Sequence, residues 1–324
     1  MRRFAYLGPE GTFTEAALRT LPEAAVDDAM LLPCRSVSVA LDVVRRGEAD
    51  AALAPLENSV GGGVASTIDE LSTGPLLHIT REVLLEVGFA FALRPGVARD
   101  AVKRVAAHPQ AEAQCRRWIA ETLPDVEVVT AASNAEAAAS VVAPGSSLDA
   151  AITSALAASR YGLQIVEDDI HDHAGAVTRF VLVAAPGAAP PATGADKTSI
   201  VAFIGDDHPG ALLEVLTEFA VRGINLTWIE SRPTGGGLGR YCFSIDCEGH
   251  LTDARVGEAL SALKRICADV RFLGSYPRAD GVQPTMRRGT SDADFTAAAA
   301  WLSDLRAGSS AGSPGLPKAN PPDA

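Results

Sequence analysis

The sequence predicts an α/β protein built from two structural units, on the basis of three observations. In the first 184 residues, short apolar runs typical of strands alternate with segments of helical periodicity. The segment at 184–196 reads AAPGAAPPATGAD, and its prolines and glycines are typical of a linker. After it, the order β-α-β-β-α-β within about 80 residues is typical of a ferredoxin-like domain.

The first unit alternates strands and helices in a way that predicts a mostly parallel sheet covered by helices. Strands are expected at 3–7, 29–34, 50–55, 83–93, 102–107, 126–130, 150–153 and 179–183. Helices are expected at about 14–21, after a cap at Ser36, from about 64, and from Pro109. Ligands of such sheets bind beyond the carboxyl ends of the strands, so the loops after 7, 55, 107 and 153 are the expected places for a site.

The second unit is expected to contain two helices on a four-stranded sheet. Its strands are expected at 199–204, 224–231, 240–247 and 270–275, and its helices at 209–221 and 253–266. A terminal helix is expected at 291–306, capped by Ser291 or Asp292, with an apolar face of Phe295, Trp301, Leu302 and Leu305. From 307 onward the chain is almost all Gly, Ser, Pro and Ala, so a disordered tail is expected.

The composition indicates a globular protein with an acidic surface. Of its 324 residues, 47% are hydrophobic and 21% are charged, and 28 Lys and Arg against 40 Asp and Glu give a formal net charge of −12. Such a chain lacks the basic field of a nucleic-acid-binding protein and is repelled by anionic membranes. The five cysteines form no C-x-x-C pair, and no apolar run suits a signal peptide or a membrane span. A cytoplasmic protein with reduced thiols is therefore expected.

Two glycine-containing loops are candidate ligand sites. The loop at 8–15 reads GPEGTFTE between a strand and a helix, where backbone N–H groups and the helix N-terminus can bind an anion. The alternative is a tight turn in which Thr14 is an ordinary N-cap. The loop at 57–64 reads ENSVGGGV, and it is either a site that orients a polar ligand or a flexible lid with solvated polar residues.

Polar residues at two further strand ends leave alternatives open. His108 precedes a helix on which Gln110 and Gln114 share a face, and it is either a structural histidine or a catalyst. Arg179 begins the last strand of the first unit, where it either clamps a carboxylate or forms a surface salt bridge. The acidic run at 168–173, DDIHDH, has no further spaced ligand group, so no metal site is expected.

Taken together, these segments resemble the signature segments of the prephenate dehydratase family. The matching stretches are GPEGTFTEAA at 8–17, ENSVGGGV at 57–64, HPQAEAQC at 108–115 and VTRFVLV at 177–183. PGALL at 209–213 and ESRP at 230–233 are similar to the two signatures of an ACT regulatory domain. The resemblance implies two α/β lobes around a cleft, as in periplasmic binding proteins, with the second lobe at about 79–162. The expected boundaries are 1–185 for the catalytic domain, 186–196 for the linker, 197–276 for the ACT domain and 277–324 for the terminal helix and tail.

The resemblance implies an enzyme that converts prephenate to phenylpyruvate with loss of water and carbon dioxide, without a cofactor or metal. The implied catalytic residues are Thr178, Arg179, Glu57 and Asn58, with Thr178 donating a hydrogen bond to the departing oxygen. The implied substrate-binding residues are Gly11, Thr12, Thr14, Ser59 and Gln114. Ala107 and Ala176 stand where many members have Ser and Asn, and this departure favours a second possibility, a non-catalytic amino-acid sensor.

The ACT resemblance implies feedback inhibition by phenylalanine bound between paired ACT domains. The implied effector-binding residues are Gly210, Ala211, Leu212, Leu213, Glu230, Ser231 and Arg232. Paired domains imply an even-numbered homo-oligomer, a dimer or a tetramer. An alternative enzyme is arogenate dehydratase, which acts on the amino analogue of prephenate.

Overall fold

The fold is described from a computed structural model of the chain. The structure describes residues 2–26, 28–172, 175–205, 208–233 and 241–308. The expected disordered tail lies outside these residues from 309 onward.

The first 184 residues form two lobes, each with its own sheet. To residue 86 the elements are β1 (Arg3–Leu7), α1 (Phe13–Arg19), β2 (Met30–Cys34), α2 (Val37–Arg45), β3 (Ala51–Asn58), β4 (Gly62–Gly63), α3 (Ala65–Thr73) and β5 (His78–Glu86). They are followed by β6 (Ala90–Leu93), β7 (Arg104–Ala107), α4 (Pro109–Gln114), α5 (Arg116–Thr122), β8 (Glu127–Thr130), α6 (Asn134–Val142), β9 (Ala150–Thr153), α7 (Ala155–Arg160), β10 (Gln164–Glu167) and β11 (Val177–Ala184).

The chain leaves the first lobe once and returns to it. The first sheet has the order β2-β1-β3-β11-β5, with β4 paired to β3, and the second has the order β10-β6-β9-β7-β8. Strands β1, β2 and β3 run parallel, whereas β11 comes back antiparallel between β3 and β5. Because β11 runs antiparallel to β3, the start of β11 lies next to the end of β3, at the same end of the sheet. The two-lobed α/β architecture confirms the expected fold class.

The limits of the second lobe differ from the expected 79–162. The single strand expected at 83–93 is two strands in different sheets, because β5 ends at Glu86 in the first lobe and β6 begins at Ala90 in the second. The second sheet also extends to Glu167 through β10. The residues from 83 to 93 are nearly all apolar although β5 is only partly buried and β6 is fully buried, so the composition does not mark the change of sheet.

The second unit has the expected β-α-β-β-α-β order. Its elements are β12 (Asp196–Phe203), α8 (Ala211–Ala220), β13 (Leu226–Pro233), β14 (Tyr241–Glu248), α9 (Ala254–Ile266) and β15 (Asp269–Pro277), in the sheet order β13-β14-β12-β15. Phe243 and Ile245 of β14 pack with Val215 and Phe219 of α8 and Leu263 of α9 on one face of this sheet.

The other face of this sheet packs against the first lobe. Val201, Cys242 and Tyr276 belong to the same buried cluster as Ile79 and Val181 of the first lobe. The approach is close at Gly274, where a Cβ atom would collide with the Ile79 carbonyl oxygen. Side chains along β14 therefore alternate between the face that packs on α8 and α9 and the face that packs on the first lobe.

The terminal helix α10 (Asp292–Arg306) forms where it is expected. Ser291 caps it by accepting the Asp294 N–H, and the Asp294 carboxylate accepts the Ser291 N–H in return. Its expected apolar face is largely exposed, since Trp301 is 56% accessible. No helix within the described parts of the chain is long and apolar enough to span a lipid bilayer.

Candidate active site

The candidate site lies where β3 ends and β11 begins, and two predicted catalytic residues meet there. Thr178 and Asn58 are cross-strand partners, and the Asn58 amide Nδ2 donates to the Thr178 hydroxyl at 2.8 Å. The Asn58 Oδ1 accepts the N–H groups of Val60 and Gly61 at 2.9 and 2.8 Å, which fixes the amide orientation. Both side chains are buried, and the contact occupies an acceptor position of Thr178 while its own O–H stays available as a donor.

The other two predicted catalytic residues lie on the opposite face of the sheet. Arg179 follows Thr178 and Glu57 precedes Asn58, and side chains of consecutive strand residues point to opposite faces. Arg179 and Glu57 are also cross-strand partners, and a bulge follows them, with Phe180 paired to Pro55. The structure therefore separates the four residues into a Thr178–Asn58 pair and an Arg179–Glu57 pair.

Arg179 is held in a buried network at the contact with the second unit. Its Nε lies 2.7 Å from Glu82 Oε2, its Nη1 lies 2.6 Å from Asp246 Oδ2, and its Nη2 donates to the Tyr276 hydroxyl at 2.8 Å. Burial alone lowers the pKa of Arg179, but Asp246, Tyr276 and Glu82 together raise it well above its ordinary value. The expected clamp on a substrate carboxylate does not fit this placement, because these partners already occupy the guanidinium and it faces away from Thr178.

Glu57 is the more exposed member of the second pair. Its carboxylate lies 3.6 Å from Arg179 Nη1, and its side chain is 34% accessible against 6% for Arg179. It therefore belongs to the outer end of the Arg179 network, and the structure does not bring it to the Thr178 hydroxyl.

The loop at 8–15 connects the two lobes. The Gly11 N–H donates to the Glu15 carboxylate, and the Gly11 carbonyl accepts from Ser154 of the second lobe. Thr12, and not Thr14, caps α1: its hydroxyl donates to the Leu7 carbonyl and accepts the Glu15 N–H. The described residues provide no hydrogen-bond partner for the buried Thr14 hydroxyl, so of the two predicted threonines it is Thr14 that has a free polar group.

A buried carboxylate fastens this loop, and sequence reasoning missed it. Glu15 is 1% accessible, and besides Gly11 it contacts Arg19 at 2.7 Å and Arg160 of α7 at 3.4 Å. Arg160 also pairs with Glu10. An i,i+4 Glu–Arg pair on α1 was visible in the sequence, but the contact with the second lobe requires the fold.

The second lobe contributes glutamines from α4. Gln114 is 5% accessible, and within the described residues its buried Oε1 has no hydrogen-bond partner. Gln110, one turn earlier, comes close to the glycine loop, since a Cβ on Gly61 would lie 3.2 Å from its Nε2. His108 caps α4 by accepting the Gln110 N–H, and burial lowers its pKa. The structure thus supports the structural alternative for His108 and leaves the buried amide oxygen of Gln114 unsatisfied within the described residues.

The remaining predicted substrate-binding residue, Ser59, continues the pairing of β3 with β11. Its backbone N–H donates to the Val177 carbonyl, and its hydroxyl accepts the Val177 N–H, both at 2.9 Å. Ser59 therefore fixes the chain immediately before Thr178.

The acidic run at 168–173 has a structural role in its described part. The Asp172 carboxylate accepts the N–H groups of Arg117 and Trp118, which lie in the first turn of α5. His173 lies outside the described residues. Across the rest of the described chain no group of three or more His, Cys, Asp and Glu side chains is arranged to hold a metal ion.

The predicted effector residues fall into two groups. Gly210, Ala211, Leu212 and Leu213 line a cavity of about 220 Å³ with Tyr241 and Phe243. Ser231 is the cross-strand partner of Phe243 and shares its face of the sheet. Glu230 and Arg232 point to the other face: Arg232 lies 3.4 Å from Asp69, and a Cβ on Gly63 would lie 3.3 Å from the Glu230 carboxylate. Within one chain, the ESRP segment therefore contacts the glycine loop and α3 of the first lobe.

Comparison with known proteins identifies the family. The family model described as prephenate dehydratase matches residues 4–188, and that of the ACT domain matches residues 199–265. The chain is 50% identical over 319 residues to the prephenate dehydratase of Mycolicibacterium vanbaalenii, covering 95% of this chain and 99% of that protein.

Two solved structures are also similar. The prephenate dehydratase of Arthrobacter aurescens in complex with L-Phe has a TM-score of 0.90 and 49% identity, covering 94% of this chain and 99% of that one. A protein described as a novel type of quorum-quenching acylase, GqqA, has a TM-score of 0.74 and 29% identity, covering 85% of this chain and 98% of that one. On the match of the family model to more than half of the chain and on the 50% identity, the chain belongs to the prephenate dehydratase family.

Proposed function

We propose that the protein converts prephenate to phenylpyruvate, releasing water and carbon dioxide, and that phenylalanine regulates it through the ACT domain. The observation that carries the proposal is the Thr178–Asn58 pair. The Asn58 amide donates to the threonine oxygen, so the threonine proton is directed to another acceptor. A buried hydroxyl polarised in this way is suited to stabilise an oxygen that becomes negative as it leaves.

The reaction needs orientation more than acid–base strength. The ring C–O bond breaks, the electrons of the bond to the departing carboxylate enter the ring, and the ring becomes aromatic as carbon dioxide leaves. Thr178 donates its hydrogen bond to the leaving oxygen, which departs as hydroxide and takes up a proton from solvent to become water. A threonine hydroxyl near its ordinary pKa is a weak acid, so its contribution is hydrogen bonding to the developing charge.

Three further groups are available to bind the substrate. The hydroxyls of Thr14 and Ser59 have no acceptor for their protons within the described residues, and the Gln114 amide has an unpartnered oxygen. Gly11 and Thr12 have their polar groups engaged in the loop itself, so we assign them to shaping the α1 N-terminus. The hydroxyls of Thr14 and Ser59 are then the neutral donors for the substrate carboxylates, since Arg179 faces the other side of the sheet, whereas the Gln114 oxygen can only accept a hydrogen bond.

For regulation, we infer that phenylalanine binds in the cavity at Gly210–Leu213. The aromatic side chains of Tyr241 and Phe243 give this cavity an apolar wall, and the backbone at the start of α8 provides N–H donors. Glu230 and Arg232 lie on the lobe-facing side of the adjacent strand, where they can transmit a change in the ACT domain to the glycine loop. We further propose an even-numbered cytoplasmic homo-oligomer, a dimer or tetramer with paired ACT domains.

A direct assay tests the activity. Purified protein incubated with prephenate is expected to form phenylpyruvate, followed by its absorbance in alkali, and added phenylalanine is expected to slow it. Absence of product at every enzyme concentration, together with phenylalanine binding, would favour the non-catalytic sensor. Competition between prephenate and arogenate in the same assay separates the two enzyme activities.

A substitution in the glycine loop tests its contact with the ACT domain. Gly63→Ala places a Cβ 2.7 Å from Ile68 Cδ1 and 3.3 Å from the Glu230 carboxylate, so the Ile68 side chain, the Glu230 carboxylate or the loop itself must shift. Because Gly63 belongs to the strand that pairs with Glu57, we expect kcat to fall about tenfold and inhibition by phenylalanine to weaken. Gly187→Ala is the matched control, since the nearest atom to its Cβ is 3.9 Å away. Unchanged kcat and unchanged inhibition in Gly63→Ala would contradict the predicted contact.

A further inference from the structure

We propose that Asp246 and Tyr276 of the ACT domain are positioning residues for the dehydration, acting through Arg179 on the neighbouring Thr178. The inference rests on the proposed function, since it assigns residues of the regulatory domain to the catalytic step. These two residues lie on β14 and β15, far along the chain from the catalytic segments, and they contact the guanidinium at 2.6 and 2.8 Å.

The contact forms a closed ring of three hydrogen bonds and one ion pair. Arg179 Nη2 donates to the Tyr276 hydroxyl, which lies 2.6 Å from the Ser199 hydroxyl, and Ser199 donates to Asp246 Oδ1 at 2.5 Å. An ion pair between Asp246 Oδ2 and Arg179 Nη1 closes the ring. Burial and the Asp246 charge raise the pKa of Tyr276, so the phenol stays protonated and serves as donor to Ser199 while it accepts from Arg179.

The same guanidinium is held from the first lobe. Glu82 Oε2 accepts from Arg179 Nε at 2.7 Å and from Lys197 Nζ at 3.0 Å, and Glu82 Oε1 accepts the Ala279 N–H. The charges Lys197, Glu82, Arg179 and Asp246 alternate in sign, and two of the three contacts between neighbours cross the domain boundary. All four are at least nine-tenths buried, so removing one charge leaves its neighbour uncompensated.

The position of Arg179 constrains Thr178 through the backbone. The two residues are consecutive at the start of β11, beside a bulge where the ladder hydrogen bonds are interrupted. The Thr178 hydroxyl must lie within hydrogen-bond distance of both Asn58 and the leaving oxygen, and an error of about 1 Å in such a position costs on the order of a hundredfold in rate. The buried side chain of Arg179 thus fixes the first residues of β11, which include the catalytic hydroxyl of Thr178.

The test is Asp246→Asn, which keeps the shape and an acceptor for Ser199 but removes the charge that faces Arg179. We expect kcat for prephenate to fall about tenfold with KM within about twofold, because the substrate still binds while its donor is displaced. Ser72→Ala is the control: it removes a buried hydrogen bond across the same domain boundary, to the Ser244 hydroxyl at 3.3 Å, that involves no residue of β11, so kcat should stay unchanged.

A double-mutant cycle distinguishes positioning from general support of the fold. If Asp246 acts through the Thr178 hydroxyl, Asp246→Asn should lower kcat in the wild-type background and have no further effect in Thr178→Ala. Equal losses in both backgrounds would overturn the proposal, because a purely structural role does not depend on Thr178.

A second variant tests the proposal if the first does not fold. If Asp246→Asn does not fold, Tyr276→Phe removes only the hydroxyl that accepts from Arg179, and a folded Tyr276→Phe enzyme with wild-type kcat would overturn the proposal. A folded Asp246→Asn enzyme with wild-type kcat would overturn it equally. Failure of the proposed function itself is recognised separately, because the wild-type protein would then form no phenylpyruvate.

Discussion

Thr178→Ala is expected to lower kcat by at least about a hundredfold, as removal of a single transition-state donor does in enzymes that stabilise a departing oxygen. Among the described residues, the Thr178 hydroxyl is the only group to which Asn58 Nδ2 donates. The loop N–H groups fix the Asn58 amide, so we expect no neighbouring group to replace the lost hydroxyl donor. The KM for prephenate should change little, since Thr14, Ser59 and Gln114 remain. The measurement is phenylpyruvate formation at saturating prephenate.

Two matched variants test whether the loss of the hydroxyl causes the fall in kcat. Thr178→Val keeps the shape of the side chain and should be as slow as Thr178→Ala, whereas Thr178→Ser restores a hydroxyl and should recover much of the rate. Phenylalanine binding should survive in all three, because the cavity at Gly210–Leu213 lies in the other domain. Near wild-type turnover in Thr178→Val would place the donor elsewhere.

The local elements of this protein are readable from its sequence because they follow periodicity and capping. The β-α-β-β-α-β order of the second unit, the Ser36 cap of α2 and the Ser291 cap of α10 all appear as expected. The single strand expected at 83–93 is wrong for a physical reason: apolar residues continue across the lobe boundary, from the partly buried β5 to the fully buried β6, so no polar segment marks two strands.

The grouping of the site residues could be predicted only in part. Strand alternation places the consecutive residues Thr178 and Arg179 on opposite faces, and the expectation that both are catalytic did not take this alternation into account. The pairing of Thr178 with Asn58 depends on the register of two strands 120 residues apart, and local pattern does not specify that register.

The partner of Arg179 could not be predicted at all. Ser199, Ser244 and Asp246 alternate with apolar residues, as the solvent-facing side of a half-buried sheet does, and the sequence therefore indicates exposure. In the structure these polar residues are buried by the first lobe. The docking face mixes these polar residues with apolar ones such as Val201 and Cys242, so its pattern does not distinguish it from a solvent-facing side, and only the fold shows where its charges are compensated.

The docking of the ACT sheet on the first lobe predicts that the catalytic domain needs the ACT domain for full activity. We expect a chain ending at Pro186 to lose at least about a hundredfold in kcat and to be markedly less stable. It exposes Ile79 and Val181, which pack under the ACT sheet, and it leaves Arg179 without Asp246 and Tyr276. Soluble yield, urea unfolding and phenylpyruvate formation measure the effect.

Gly274→Ala produces the same separation in the full-length chain. Its Cβ would collide with the Ile79 carbonyl oxygen, and the backbone φ of +150° at this position also disfavours a side chain. If both the chain ending at Pro186 and Gly274→Ala lose activity, the cause is the undocking of the ACT sheet and not the missing residues. Conversely, a stable fragment ending at Pro186 with wild-type kcat would show that Glu82 alone holds Arg179, and that Thr178 keeps its position without the regulatory domain.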